Sequence, residues 1–216
     1  MAAGRVPVAA LYGGRVRWTV SNPNPSTDDE AARRGLPHRR DVLQLRCPLP
    51  LPDDGRDRRP VETRAFVPGS PDEAAWLEVN NRAFADHPDQ AGATPERLHR
   101  LMAEPWFDPE GFRLYERDGR LAAFCWTKVH PPASGEPELG EIFVIGVDPD
   151  FQGLGLGWAL TEAGLAWLAA RGLPTGMLYV DATNTTARAL YDRLGFVLHH
   201  VDRLYEPERD GQRTVS

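Results

Sequence analysis

A glycine-rich segment between a strand pattern and a long helix pattern constrains the fold more than any other part of the chain. Residues 141–147 are β-branched and apolar on both faces, as in a central strand, and residues 154–170 follow a helical pattern. Gly153, Gly155 and Gly157 lie at the junction. Successive N–H groups of such a turn can point at one ligand, with the positive end of the helix dipole behind them. The segment predicts an anion cradle suited to a phosphate or pyrophosphate; the alternative is a turn that only joins helix and sheet.

Two other phosphate-binding motifs do not match this segment. A P-loop requires Lys and then Ser or Thr after its last glycine, whereas Trp158 and Ala159 follow here. A dinucleotide-binding motif requires a glycine where Trp158 stands. Both classes of nucleotide site are therefore excluded.

Strand and helix patterns alternate from residue 61 to residue 205. Strands are predicted at 61–67, 113–117, 121–129, 141–147, 176–182 and 196–205, and helices at 74–84, 94–103, 154–170 and 185–194. Asp118-Gly119 between the second and third strands is a strong hairpin signal. The order predicts an α+β fold with a mixed central sheet flanked by helices, in which antiparallel hairpins lead into a parallel crossover.

The beginning of the chain faintly repeats its end. Residues 17–45 and residues 178–205 each read as strand, asparagine, helix, glycine and strand. The paired positions are 160 residues apart: Asn24 and Asn184, Gly35 and Gly195. Chance similarity is one explanation. The other is that the first stretch, a partial strand–helix–strand unit, is the tail of a preceding domain of the same fold, whose strands would then lack partners.

The second explanation gives the predicted domain division. Residues 1–50 are the remnant of a first domain, and residues 51–60, rich in Pro and charge, are a linker. Residues 61–206 are a complete domain, and residues 207–216 are a disordered tail.

Charge and composition exclude several classes of function. Residues 1–60 carry a net charge of +4 and residues 61–216 a net charge of −10, which disfavours nucleic-acid binding and suits a cationic small molecule. We expect no membrane span, because apolar runs are too short, and no secretory signal. The two cysteines, Cys47 and Cys125, are far apart, which fits a reducing cytoplasm. Cys125, between Phe124 and Trp126, is predicted to be a buried core thiol. No metal site is predicted, and we expect a monomer.

Two motifs resemble signatures of the GCN5-related N-acetyltransferases. One is Gln152-x-x-Gly155-x-Gly157, and the other begins at Asn184 and includes Ala187, Tyr191 and Gly195-Phe196. The resemblance covers residues 61–205 and implies that family's fold and acetyl-CoA as co-substrate. It assigns the pantetheine to Ile145, Gly146 and Val147, the pyrophosphate to Gln152, Gly153, Leu154, Gly155, Leu156, Gly157 and Trp158, and further cofactor contacts to Asn184 and Ala187.

Finer features resemble one branch of that family, the mycothiol synthases, which have two tandem acetyltransferase domains. They are residues 79–90, 106–109, 124–130 and 140–149. This implies that the acceptor is the cysteinyl amine of cysteinyl-glucosaminyl-inositol. Another small-molecule or protein amine remains open, as does a truncated, non-catalytic acyl-CoA-binding module.

Amine acetylation requires a base for the amine and a proton for the leaving thiolate. Glu141 opens the central strand among aromatic residues and is the predicted base, with an exposed sheet-edge carboxylate as the alternative. Tyr191 is the predicted proton donor, with an aromatic core residue as the alternative.

The resemblance implies substrate contacts for Asp89, Lys128 and Tyr179, together with Glu141. Lys128 could instead be an edge lysine that extends to solvent, and Asp89 a plain loop residue. His130, His199 and His200 have no partner at metal-ligand spacing.

Overall fold

The computed structural model describes residues 18–53, 61–85, 87, 90–133 and 135–207. In chain order the elements are β1 (Trp18–Ser21), α1 (Pro25–Arg33), β2 (His38–Pro48), β3 (Arg64–Ala65), α2 (Asp72–Ala83), α3 (Pro95–Met102), β4 (Phe112–Arg117), β5 (Arg120–His130), β6 (Leu139–Val147), α4 (Leu156–Ala170), β7 (Thr175–Asp181), α5 (Thr185–Arg193) and β8 (Val197–Tyr205). They fall into two compact units. We call residues 46–178 the central unit, and residues 18–45 with 179–207 the terminal unit.

The central unit contains the predicted hairpins. Strands β3, β4, β5 and β6 are antiparallel neighbours in that order. The β4–β5 turn has positive φ at both Asp118 (54°) and Gly119 (74°), the geometry that two-residue hairpins favour. The strand predicted at 61–67 is much shorter, because its ladder with β4 joins only Arg64 and Ala65.

A parallel crossover completes the central unit. Helix α4 connects β6 to β7, and the two strands run parallel from Gly140 opposite Gly176 to Ile142 opposite Leu178. Leu160, Leu165 and Leu168 of α4 are buried. Antiparallel and parallel pairs in one sheet confirm the predicted α+β fold.

The core of the central unit is aromatic. The rings of Phe112 and Trp126 stack at 4.3 Å, and those of Phe66 and Phe112 at 4.5 Å. Trp76 of α2 contacts Phe124 edge-on at 5.7 Å. These rings bury a large apolar area and have favourable mutual geometry, so they anchor α2 against β4 and β5.

The terminal unit pairs elements from both ends of the described chain. β1 is antiparallel to β8, with Trp18 opposite Tyr205, and β8 lies between β1 and β2. β2 also reaches β7, where the Asp41 carbonyl accepts the Ala182 N–H at 2.9 Å. The expectation that the early strands lack partners is therefore wrong. Residues distant in sequence supply them, and no local pattern encodes such pairing.

The predicted division of the chain at 51–60 is not where the compact units divide. β2 continues into the central unit, where Cys47 and Leu49 are buried and the Leu49 N–H donates to the Pro174 carbonyl at 2.9 Å. Residues 54–60 of the predicted linker and 208–216 of the predicted tail lie outside the described residues. That residues 1–50 are the remnant of a first domain stays a prediction.

Candidate functional site

The glycine-rich turn has the backbone of an open cradle. Gly153 and Gly155 have φ of 78° and 74°, in the left-handed region that favours glycine, and α4 begins directly afterwards at Leu156. A Cβ at either position would meet no atom within 4 Å, so open space lies in front of both. The N–H groups in the first turn of a helix have no acceptor within the helix, and α4 has no acidic residue there. The turn therefore suits an anion.

Two arginines form ion pairs with the aspartates that precede this turn. Asp148, 1 % exposed, lies 3.3 Å from Arg82 of α2, and its Oδ1 accepts the N–H of Asp150 at 2.9 Å. Asp150 lies 3.0 Å from both Arg82 and Arg120. Hydrogen bonds from Arg120 and Arg82 lower the pKa of Asp150. The sequence analysis did not single out the two arginines. The two aspartates were the feature of the sequence that could have indicated positively charged partners.

The strand that leads into the turn is β6. Toward β5, its ladder extends to Val147 opposite Ala123. Toward β7, Gly140, Glu141 and Ile142 lie opposite Gly176, Met177 and Leu178. The predicted pantetheine contacts Ile145, Gly146 and Val147 lie at the end of β6 that leads into the turn.

Glu141 is buried. Its side chain lies on β6 between register partners Lys128 of β5 and Met177 of β7, and the residue is 6 % exposed. Its Oε2 accepts a hydrogen bond from His130 Nε2 at 2.6 Å. The alternative of an exposed sheet-edge carboxylate is therefore wrong, and a buried carboxylate with a histidine partner stands in its place.

The sequence analysis did not pair His130 with Glu141; it considered this histidine as a metal ligand and as part of the resembling segment 124–130. Lys128 and His130 are two positions apart on β5, which places both on the face that carries Glu141. The alternation of side chains along β5 could thus have shown that Lys128 and His130 share a face. Only the register between β5 and β6 shows that Glu141 is the partner of His130.

Lys128 lies over aromatic rings. Its Nζ is 4.6 Å from the centre of the Trp106 ring and 5.6 Å from that of Phe143, within cation–π range. At Lys128, β5 is paired with β6, whereas its ladder with β4 ends at Trp126, so the alternative of an edge lysine stays open. Trp106 was not singled out beforehand as a contact of this lysine.

The remaining predicted site residues belong to the terminal unit or are not described. The Tyr179 hydroxyl accepts a hydrogen bond from Gln44 Nε2 at 2.7 Å, and Gln44 is 1 % exposed. Asn184 caps α5 by accepting the Ala187 N–H at 3.0 Å. Tyr191 is 8 % exposed, with its ring 5.6 Å from that of Phe196. These contacts are compatible with either interpretation of Tyr191. Asp89 lies outside the described residues.

The cysteines are not nucleophiles in this structure. Cys125 is fully buried, and burial raises the pKa of its thiol to about 12. Burial likewise raises the pKa of Cys47 to about 12. The prediction that Cys125 is a core thiol is confirmed.

Two further searches covered the part of the chain that the structure describes. In it, no three His, Cys, Asp or Glu side chains come together as a metal site would require. None of its helices combines the length and apolar character needed to cross a membrane.

Comparison with known sequences identifies related proteins. The profile of the acetyltransferase (GNAT) family matches residues 75–196. A mycothiol acetyltransferase of Acidothermus cellulolyticus is 48 % identical over 92 % of this chain and 64 % of its own length. One of Streptomyces coelicolor is 50 % identical over 92 % of this chain and 63 % of its own length. The chain thus spans less than two thirds of these relatives.

Comparison with solved structures supports the same fold. A GCN5-related N-acetyltransferase from Sphaerobacter thermophilus has a TM-score of 0.68 and 24 % identity, covering 90 % of this chain and 62 % of that one. The ribosomal-protein-S18-alanine N-acetyltransferase of Escherichia coli has a TM-score of 0.51 and 24 % identity, covering 70 % of this chain and 97 % of that one. At such low identity these likenesses concern the fold alone.

Proposed function

The chain belongs to the acetyltransferase (GNAT) family, and from this we propose that it transfers the acetyl group of acetyl-CoA to the cysteinyl amine of cysteinyl-glucosaminyl-inositol, giving mycothiol. The choice of acceptor is supported by relatives named mycothiol acetyltransferase at about half identity over most of this chain. The choice of reaction is supported by the geometry of the central unit. We also propose that the protein acts in the cytoplasm.

The single observation that carries the acetyl-CoA proposal is the open glycine turn at the start of α4. Gly153 and Gly155 leave space where a side chain would stand, and we assign the pyrophosphate to residues 152–158. The backbone of residues 145–147, at the end of β6 that leads into this turn, is assigned to the pantetheine. Acetyl-CoA supplies an activated acetyl thioester. The protein's part is to hold it and to move protons.

Glu141 is the proposed base. A cysteinyl amine is largely protonated at neutral pH, so it must lose a proton before its nitrogen can attack. The proton passes to the Glu141 carboxylate, directly or through water, and the freed electron pair of the nitrogen forms the amide bond. Tyr191 is the proposed donor to the departing thiolate. Asn184 and Ala187 are proposed cofactor contacts, and Asp89, Lys128 and Tyr179 proposed substrate contacts.

The first test measures acetyl transfer to cysteinyl-glucosaminyl-inositol. CoA release and the mass of the product are followed for the unaltered protein and for Glu141→Gln. We expect a single acetyl group on the amine, and a kcat roughly 10²–10⁴-fold lower in the variant with unchanged affinity for acetyl-CoA.

Acetylation of a different amine in a panel of polyamines, aminoglycosides and peptide N-termini would replace the proposed acceptor. Binding of acetyl-CoA without any turnover would indicate a non-catalytic acyl-CoA-binding module. Near-normal turnover of Glu141→Gln would move the role of base to another group.

The second test changes the cradle. Gly155→Val should abolish acetyl-CoA binding in calorimetry, because the added side chain enters the space assigned to the pyrophosphate. The matched control is Gly172→Val at the other end of α4. Gly172 also has positive φ (83°) and open space for a Cβ, so both variants carry similar backbone strain. Equal loss of acetyl-CoA affinity in the two would contradict the cradle assignment.

A further inference from the structure

We propose that His130 is a positioning residue that holds the Glu141 carboxylate in its reactive orientation. This rests on the proposed function, in which Glu141 accepts the proton of the amine. Neither the family profile nor the names of the relatives assign any role to His130.

The contact is short and largely removed from water. His130 Nε2 donates to Glu141 Oε2 at 2.6 Å, and the two side chains are 31 % and 8 % exposed. A hydrogen bond to an ionised carboxylate is about twice as strong as one between neutral groups. A buried carboxylate without a hydrogen-bond donor is costly, so this bond satisfies an oxygen that the fold removes from water.

The fold does not depend on this bond to join the two strands. β5 and β6 are already paired by a backbone ladder from Ala123 opposite Val147 to His130 opposite Leu139. The register partners of Glu141 are Lys128 and Met177. Met177 offers no hydrogen-bond donor, and the Lys128 ammonium lies over Trp106. His130 is thus the donor that the structure places on this carboxylate.

The bond gives the two oxygens of the Glu141 carboxylate different roles. Oε2 is occupied by the imidazole N–H, which leaves Oε1 as the oxygen that takes the proton from the amine. His130 neither gains nor loses a proton in this step. Its effect is to restrict the rotation of the carboxylate, and a small misplacement of a catalytic group can lower the rate by about 10²-fold.

The test compares His130→Phe, which removes the donor, with His130→Gln, whose amide can reach a similar position and donate. We expect kcat for acetyl transfer to fall roughly 10–100-fold in His130→Phe and to recover most of this loss in His130→Gln. Acetyl-CoA affinity should stay within about twofold in both variants, as expected for a group acting on the base alone.

A similar pair elsewhere in the central unit supplies the control. His99 Nε2 lies 2.7 Å from Glu73 Oε2 at the start of α2, away from the residues assigned to the reaction. His99→Phe should leave kcat unchanged. A fall in kcat equal to that of His130→Phe would attribute the effect to lost stability, and would overturn the proposal.

Three other outcomes are decisive. A kcat within about twofold of the unaltered protein in His130→Phe overturns the proposal, as does a folded His130→Gln with no recovery. If His130→Phe does not fold, the kcat of His130→Gln decides. The kcat ratios are measured with whichever amine the unaltered protein accepts, so a wrong acceptor contradicts the proposed function while His130 is still tested. A protein that acetylates no amine contradicts both.

Discussion

Stacked aromatic rings dominate the interior of one unit, and a network of side-chain hydrogen bonds connects the elements of the other. The central unit is built on stacked rings, with Phe66, Phe112 and Trp126 at most 1 % exposed. In the terminal unit, Gln44 and Tyr205, each 1 % exposed, are joined to their neighbours by side-chain hydrogen bonds. The central unit also buries hydrogen-bonded polar groups, among them Asp72 and Glu141. The stability gained by burying aromatic area does not change with pH, whereas the stability gained from a hydrogen bond to a carboxylate depends on whether that carboxylate is ionised.

Arg203 illustrates the second kind of stabilisation. Its guanidinium donates to both carboxylate oxygens of Asp41, at 2.7 and 2.8 Å, and to Asp28 at 3.0 Å. The Tyr205 hydroxyl donates to Asp28 at 2.7 Å. These bonds connect β8 with α1 and β2, so the terminal unit depends on residues far apart in the chain. The comparison predicts how each unit responds when its main contacts are changed: the terminal unit to truncation, the central unit to a cavity, and the Arg203–Asp41 pair to acid.

The largest effect is expected from removing residues 1–58. This deletes β1, α1 and β2 from the terminal unit, and with them both carboxylate partners of Arg203. It also removes Cys47 and Leu49 from the interior of the central unit. We expect loss of folded structure in residues 179–207, measured as rapid amide hydrogen exchange in β8 and α5.

This expectation replaces the one that follows from a separate first domain, in which trimming would leave the remainder intact and more soluble. Slow exchange in β8 of the shortened protein would restore the separate-domain interpretation. Deletion of residues 1–16 is the control, because it leaves every element from β1 onward in place.

The next effect is a cavity in the central unit. Trp126→Ala should lower the free energy of unfolding by about 3–5 kcal/mol, because Trp126 is fully buried and contacts several other rings. Urea unfolding of this variant and of the unaltered protein measures the loss in free energy. Trp126→Phe should cost less, since the indole N–H has no hydrogen-bond partner among the described residues and the ring stack is kept. Equal losses would show that ring packing is not what stabilises this unit.

The smallest effect concerns acid and the terminal unit. The hydrogen bonds from Arg203 lower the pKa of Asp41 below its ordinary value of 3.8. A lowered carboxyl pKa stabilises the folded state fully above the unfolded value, and that stabilisation is lost as the pH falls through the folded pKa. Asp41→Asn should therefore cost about 1 kcal/mol at pH 7 and progressively less below pH 4.

Urea unfolding of Asp41→Asn and of the unaltered protein, at pH 7 and again near pH 3, measures this difference. A difference in unfolding free energy that stays constant between the two pH values would show that the ionisation of Asp41 contributes nothing. Arg203→Lys is a useful second variant, because it keeps the charge but loses the planar, two-pronged donation to both oxygens of Asp41.

Much of the local structure followed from the sequence. The hairpin at Asp118-Gly119 was predictable because few residue pairs tolerate positive φ at both positions. Helix α3 begins after Thr94, whose side chain accepts the Arg97 N–H, as its capping position predicts. The glycines before α4 likewise indicate a turn, because glycine adopts positive φ more readily than other residues. Each of these features depends on residues a few positions apart.

The site was predicted less completely. Glu141 and Lys128 were singled out, and the structure places them opposite each other on β6 and β5. His130 and Trp106 were not assigned to them, because their roles depend on strand register and on a loop brought back over the sheet. The roles of Tyr191, Asn184, Ala187 and Tyr179 stay predictions.

The sequence by itself determined the order of the elements, the glycine turn and the acidic balance of the region from residue 61 onward. These properties are set by periodicity, by backbone preference and by composition, which act over short stretches or as simple sums. Only the tertiary structure decided that His130 bonds to Glu141, that Arg82 reaches Asp148 and that β1 and β2 find partners near residues 180–205. Each of these contacts joins residues from different elements. Its formation depends on strand register and side-chain packing, which no short segment of the chain encodes.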